Sequence, residues 1–590
     1  MTKATLDRQP NLTDIVPNLS YQVAMPQPNS HLFEVTFEVK GWQKKQLDLI
    51  MPVWTPGSYL VREYARLVQD FQAVSRAGQG LVSQKISKNR WQIDTEGVSD
   101  IKIHYRVFAN ELTVRTNHLD STHGYFNGAA LFFFIPELET YPITVTIIPP
   151  HPDWRVTTSL PPIADQENTY LANDFDTLVD SPFEIGIHQI YEFEVLEKSH
   201  KLAIWGQGNI KPQPLIKDIE KIIETEAQIF GGLPYEHYLF LLHLSAKSYG
   251  GLEHKDSCSL IYSRFGFRGK DAYHRFLQLV AHEFFHLWNV KRIRPKALER
   301  FDYERENYTT SLWFSEGTTS YYDSLIPCRA KIYDDQVLLD NFAKDITRYL
   351  QTPGRKVQPL SESSFDAWIK LYRRDANSDN NQMSYYLKGE LVSLLLDLLI
   401  RSRHNNKRSL DDVMRLLWEN FGKSEIGFTP EQLQEILESV AGIDLGNFLR
   451  KYIDGVDDLP FQEYFDPFGL ELKPVCEEEA TPCLGIKVQS ENGKEIIKFV
   501  ETGSPAEDSG IDAEDELLAI DGIKITADQL NERLKDYHVG DKIEVTVFHQ
   551  DQLKTLSVEL AAPQPSRYEL IKIKNPSNIQ SQNLAGWINS

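Results

Sequence analysis

Hydrophobic and polar positions change their rhythm twice along the chain. Up to about residue 205, HLFEVTFEV (31–39), IKIHYRVFA (101–109) and ITVTIIP (143–149) alternate or run apolar over strand lengths. TPGSY and PPHPDW interrupt them. From about residue 211 the period lengthens. LIKDIEKIIETEAQIF (215–230) sets apolar residues at helical spacing and stops at Gly231-Gly232 before a proline. DAYHRFLQLVAHEFFHLWNVKRI (271–293) predicts one long helix. SLWFSEGTTSYYDSLI (311–326), YDDQVLLDNFAKDITRYLQ (333–351), MSYYLKGELVSLLLDLLIRSR (383–403) and LDDVMRLLWENFG (410–422) predict further helices. Beyond YFDPFG (464–469), the runs LGIKVQS, EIIKFVE, ELLAIDG and DKIEVTVFHQ read as short strands parted by turns. After Pro563, RYELIKIK alternates and Trp587 is apolar, so this tail is expected to pack back. The pattern predicts an α+β multidomain protein. Its parts are a β-rich N-terminal domain (1–208), a mainly helical domain (209–465), a third region with β character (466–562) and a tail (563–590).

One run of the long helix carries chemistry: His282-Glu283-Phe284-Phe285-His286. Two histidines four apart on a helix share a face, so both imidazoles can reach one ion at about 2.0–2.1 Å. Glu283 lies beside the pair, placed for general-base work on a water. A catalytic zinc needs a third protein ligand and one open position. The pattern HExxHxxGxxH fails, because Asn289 and Arg292 occupy the glycine and third-histidine positions. A glutamate on a following helix is the other solution, and Trp313-Phe314-Ser315-Glu316-Gly317-Thr318 offers Glu316. Taken alone, a glutamate between aromatics serves a salt bridge just as readily.

HEFFH followed by LWNVKRIRP, and then WFSEGTTSYY, resembles the glycyl aminopeptidase family, zinc peptidases with a C-terminal PDZ domain. This family is of the gluzincin type and distantly similar to the aminopeptidase N family. Tyr249-Gly250-Gly251-Leu252-Glu253-His254 is similar to the Gly-x-Met-Glu-Asn segment of that second family, and Tyr386-Leu387-Lys388-Gly389 to its Tyr-x-Lys-Gly. MPVWTPGSYLVREYARLVQDF (51–71) resembles the front domain of the glycyl aminopeptidases. Leu252 and His254 depart from the aminopeptidase N pattern, as does a longer interval between His286 and Glu316, which leaves substrate contacts open.

The resemblance implies one zinc per chain, held by His282, His286 and Glu316, with Glu283 as general base. It implies that the Tyr386 phenol stabilises the tetrahedral oxyanion, a donor worth roughly 3–4 kcal/mol in other oxyanion holes. It gives Glu253 the free α-ammonium of the substrate, while Gly250 and Gly251 let an extended backbone approach closely. The implied activity is removal of N-terminal residues, small ones such as glycine and alanine first. Arg292 and Arg294 follow the metal helix, where arginines commonly serve the helix dipole and solvation. Residues from about 478 to 562 resemble a PDZ domain. Its carboxylate loop would comprise Leu484, Gly485 and Ile486, with Cys483 where the first glycine is usual. Such a domain can catch a peptide C-terminus.

Composition then narrows the partners. A formal net charge of −22 with no basic stripe disfavours nucleic acid. Only four cysteines occur, Cys258, Cys328, Cys476 and Cys483, which suits a reducing compartment rather than a disulfide framework. The opening residues lack a signal-peptide core, and the apolar run at 390–403 is broken by Asp397, so a buried helix is expected there. A cytoplasmic protein free of membrane is the expectation, with peptides bearing a free N-terminus as substrates. A metalloendopeptidase and a PDZ-bearing adaptor with an inactive peptidase site are the alternatives.

Overall fold

The computed structural model describes residues 17–475 and 481–589. The reading of the chain's first residues rests largely on 1–16, and these and Cys476 lie outside the described residues. The chain divides into two compact units. The first comprises residues 1–216, 234–269 and 301–307, and the second 217–233, 270–300 and 308–590.

In the first unit a six-stranded sheet runs in the order Thr169–Ala172, Ile143–Ile148, Asn18–Ala24, Leu32–Lys40, Asp100–Phe108, Val68–Ser75. Its strands alternate as the sequence does: Phe33, Val35, Phe37 and Val39 are buried while their neighbours face outward. One inner face packs against the aromatic run Leu131–Ile135, where Phe133 meets Trp91 and Tyr105 edge-on. A second sheet, of five strands, runs Gln189–Val195, Lys198–Trp205, His237–Ser245, Ser257–Ser263, Gly250–Glu253. Its three middle strands are parallel, so His237–Ser245 is buried along nearly all its length and reads as a continuous apolar run. Three of these strands fall within the stretch expected to be mainly helical, and helices dominate only from Lys270 onward.

The second unit is built on Lys270–Phe285, Thr319–Arg329, Asp335–Leu350, Tyr385–His404, Leu410–Asn420 and Pro430–Ala441. Their starts are locally encoded. Asp334 accepts from the Val337 N–H, and Ser409 and Thr429 form reciprocal capping boxes. Asp397, which breaks the apolar run of Tyr385–His404, is fully buried and fully paired. It accepts from Arg401 Nε at 2.8 Å, from the Leu410 N–H at 2.7 Å and from the Tyr321 hydroxyl. No helix among the described residues is long and apolar enough to cross a membrane.

The β region of this unit is a sheet ordered Ile486–Glu491, Lys494–Val500, Glu516–Ile520, Lys542–His549, Gln552–Glu559 around Ile497, Leu517, Val545, Val547 and Val558. The tail pairs Arg567–Lys572 antiparallel with Leu470–Val475 and ends in the helix Asn578–Asn589. There Trp587 is fully buried, stacks on Phe342 and donates to the Tyr321 hydroxyl at 2.9 Å. Trp587→Ala therefore opens a cavity and leaves Tyr321 short of a partner. We expect a loss of about 3–5 kcal/mol in the helical unit, read as a lowered urea midpoint by circular dichroism.

Candidate active site

Phe276, Leu277, Val280, Ala281, Phe284 and Phe285 bury one face of Lys270–Phe285, and His282 and Glu283 lie in its last turn. The helix stops at Phe285, short of the 293 expected from the apolar pattern. The Leu287 and Trp288 N–H groups tighten onto Phe284 and Phe285 carbonyls at 3.1 Å, while their side chains stay buried. Hydrophobic periodicity thus outlasts the backbone helix. His286 lies just past that end, its N–H still 3.3 Å from the His282 carbonyl.

Glu316 comes from Trp313–Thr318, a π-helical turn that is buried throughout. Two contacts fix it. The Asn289 amide reaches the Phe314 and Ser315 carbonyls and the Thr319 hydroxyl, each at 3.1 Å. Gly317 lies against Gly389 so closely that a Cβ on Gly317 would sit 2.4 Å from the Gly389 Cα. The helix Tyr385–His404 therefore meets the π turn backbone to backbone, which brings Tyr386 beside the histidines. Its ring centroid is 6.2 Å from that of His282.

His282 Nδ1 is 2.9 Å from Asp323, and His286 Nδ1 is 2.6 Å from the Asn289 carbonyl. With both Nδ1 atoms donating, both Nε2 lone pairs face the same point, 3.1 Å apart. Glu316 Oε2 closes the triangle at 3.2 Å from His286 Nε2 and 3.6 Å from His282 Nε2. A tetrahedral ion bonded at about 2.0–2.1 Å holds its ligand atoms about 3.3–3.4 Å apart, so this donor set fits zinc. The electrostatics agree. Burial would raise the Glu316 carboxyl, yet the two imidazoles hold it down to about 2. Burial would likewise neutralise His282, but Asp323 and Glu316 hold it well above its ordinary value. The site calls for positive charge.

Residues 20–187 match the Peptidase M61 N-terminal domain, 275–392 the M61 glycyl aminopeptidase and 482–560 a PDZ domain. A crystal structure of an aminopeptidase N family protein from Idiomarina loihiensis is 31% identical, covering 97% of this chain and 100% of that one, with a TM-score of 0.91. The chain belongs to the glycyl aminopeptidase family. It is a metallopeptidase with a C-terminal PDZ domain. An M1 zinc metallopeptidase from Deinococcus radiodurans is 13% identical over 75% of this chain and 95% of that one, with a TM-score of 0.48. Native yeast LTA4 hydrolase is 14% identical over 76% and 69%, with a TM-score of 0.44. No match was found among curated proteins.

The other candidate residues of the peptidase come from several elements. Glu283 is buried on the metal helix. Glu253, Gly250 and Gly251 belong to the other compact unit, on the edge strand Gly250–Glu253. There Glu253 is 4% exposed and its Oε1 has no hydrogen-bond partner among the described residues. Gly57, at φ +83°, presses bare backbone against that carboxylate, since a Cβ there would lie 2.5 Å from both Glu253 oxygens. His254 pairs with Asp180 at 3.1 Å. Leu484, Gly485 and Ile486 line a PDZ groove of about 350 Å³. Arg292 donates to the Leu287 carbonyl at 2.9 Å, and Arg294 lies 3.5 Å from Glu425.

A second His-Glu-His group serves as an internal contrast. His123 Nδ1 and His243 Nε2 lie 2.9 and 2.8 Å from opposite oxygens of Glu184. These are N–H···O lengths, too short for the edge of a zinc tetrahedron. Burial would raise Glu184, and the two imidazoles instead hold it at about 2. This group is a buried carboxylate held by two donors.

Sequence reasoning missed Asp323, Asn289 and Tyr372, whose hydroxyl is 3.3 Å from that of Tyr386. Only Asp323 had a signal, lying about two turns after Glu316 on the same helical path. Asp323→Asn is expected to weaken metal binding about 10–100-fold by chelator competition, because the ligand imidazole loses its anionic partner. Glu316→Gln is expected to lose the metal on dialysis, measured by elemental analysis.

Proposed function

We propose that this metallopeptidase is a zinc-dependent aminopeptidase that removes small N-terminal residues, glycine and alanine first, from peptides. The observation that carries the reading is the convergence of two imidazole lone pairs and one carboxylate at tetrahedral spacing, with Glu283 next to His282 in sequence. His282, His286 and Glu316 would hold one zinc ion. When bound, zinc supplies the positive charge that acidifies a water and polarises a peptide carbonyl.

The protein's own groups do the rest. Glu283 takes a proton from the attacking water and later passes it to the leaving amine. Tyr386 donates its phenol hydrogen to the oxyanion that develops on the scissile carbonyl. Its burial, with Glu316 nearby, pushes the phenol well above its usual range, which favours the protonated form that can donate. Glu253 pairs with the substrate's free α-ammonium. In support, it is a buried carboxylate with one oxygen lacking a donor among the described residues, so a cationic guest would complete it. Gly250 and Gly251 leave room for the substrate backbone. The preference for small residues follows from the family's glycyl aminopeptidase description.

The PDZ groove would accept a peptide C-terminus on the amides around Leu484, Gly485 and Ile486. Thiols at Cys258, Cys328 and Cys483 suit the cytoplasm. Peptides with free and N-acetylated ends separate this reading from an endopeptidase. The enzyme should cleave the free peptide and reject the blocked one, and equal cleavage of both would sink the aminopeptidase assignment. Glu253→Gln should lower kcat/KM for free peptides about a hundredfold or more, because the α-ammonium loses its charged partner. Glu283→Gln should keep its metal and lose about 10²–10⁴-fold in kcat. A chain that binds no zinc and is indifferent to chelator would favour the adaptor alternative.

A further inference from the structure

The stretch from Asp366 to Ser384 reaches both the proposed oxyanion donor and the PDZ domain. Apart from a turn at Asp366–Trp368 and a short helix at Ser378–Asn381 it has no regular structure, so side chains must hold it. At its active-site end Tyr372 and Tyr386 share a hydroxyl contact of 3.3 Å. Tyr386 can keep its proton for an oxyanion only if Tyr372 is the donor and Tyr386 the acceptor. A phenol that accepts a hydrogen bond is polarised into a stronger donor.

The other end is gripped by the PDZ strands. The Asn380 side chain reads backbone as a neighbouring strand would, with Oδ1 accepting from the Thr502 N–H at 3.0 Å and Nδ2 donating to the Val500 carbonyl at 2.9 Å. Asn380 is 9% exposed, so these bonds are largely shielded from water. Its neighbour Asp379 bridges Lys487 of the PDZ domain, 3.1 Å away, and Arg374 of the same stretch. Lys487 also lines both the PDZ groove and an adjoining cavity of about 270 Å³. The walls of that cavity include Arg374, Asp379, Gln382 and Ser384, the last being the N-cap of the Tyr386 helix.

We infer that Tyr372 is a positioning residue for Tyr386, and that the PDZ domain holds it in place through Asn380 and Asp379. The PDZ domain is then a working part of the catalytic apparatus as well as a peptide module. This inference rests on the aminopeptidase reading above.

The test is steady-state kinetics of the full-length zinc-loaded chain on a glycyl or alanyl amide with a chromogenic leaving group, with zinc content measured in parallel. Tyr372→Phe should lower kcat about five- to tenfold, change KM less than twofold and leave zinc content unchanged. Asn380→Ala should produce the same pattern. The double variant should be no slower than the slower single variant, because both changes break one chain of contacts. Should Asn380→Ala fold poorly, Asp379→Asn weakens the same grip while keeping the side chain's shape. An unchanged kcat in Tyr372→Phe overturns the inference, as do losses that simply multiply in the double variant. A native chain without zinc or hydrolysis would instead overturn the peptidase reading itself.

Discussion

Two imidazole lone pairs pointed at one another across 3.1 Å are a repulsive arrangement unless a cation lies between them. The contacts around the site hold that arrangement. Asp323 and the Asn289 carbonyl fix which nitrogen of each ring carries the proton. Asn289 also ties down the π turn that delivers Glu316, so a single side chain and its own carbonyl serve two of the three proposed ligands. Asn289 is fully buried and Asp323 half-buried, and in such surroundings an unmet polar group is costly and a met one is rigid.

The contrast with His123, Glu184 and His243 shows how little residue type alone decides. Both groups are two histidines and a glutamate, both bury the glutamate, and both hold its carboxyl at about 2. In one, each ring donates to its own oxygen of the carboxylate. In the other, the rings' protons are committed outward and their lone pairs inward. The difference lies in what occupies the far nitrogen of each ring, which is a property of packing.

The PDZ region and the tail are bound into the helical unit by directional contacts. Asn380 reads the backbone of the PDZ sheet, and Trp587 completes the hydrogen bonding around Tyr321, Asp397 and Arg401. That buried polar group explains the acidic residue in the middle of the most apolar helix. Asp397 is there to be paired, and the tail supplies part of its surroundings: Trp587 bonds Tyr321, and the Gly586 carbonyl accepts from Arg401.

By itself the sequence determined the alternating strands of the N-terminal region, the capped helices, the HExxH pair and, through WFSEGT and YLKG, the regions that carry Glu316 and Tyr386. The strands, helices and histidine pair are encoded within a few residues by period, cap or spacing, whereas WFSEGT and YLKG were legible only through the resemblance to known families. Tertiary structure decided the rest. It ended the metal helix at Phe285 although the apolar pattern ran on, because burial of Leu287 and Trp288 does not require helical backbone. It laid three buried strands within the stretch read as mainly helical, since continuous apolar runs do not reveal their period. It also placed Asp323, Asn289 and Tyr372 against the candidate site, through contacts that no local pattern announces. Short-range pattern fixes what a residue can do, and only packing fixes what it faces.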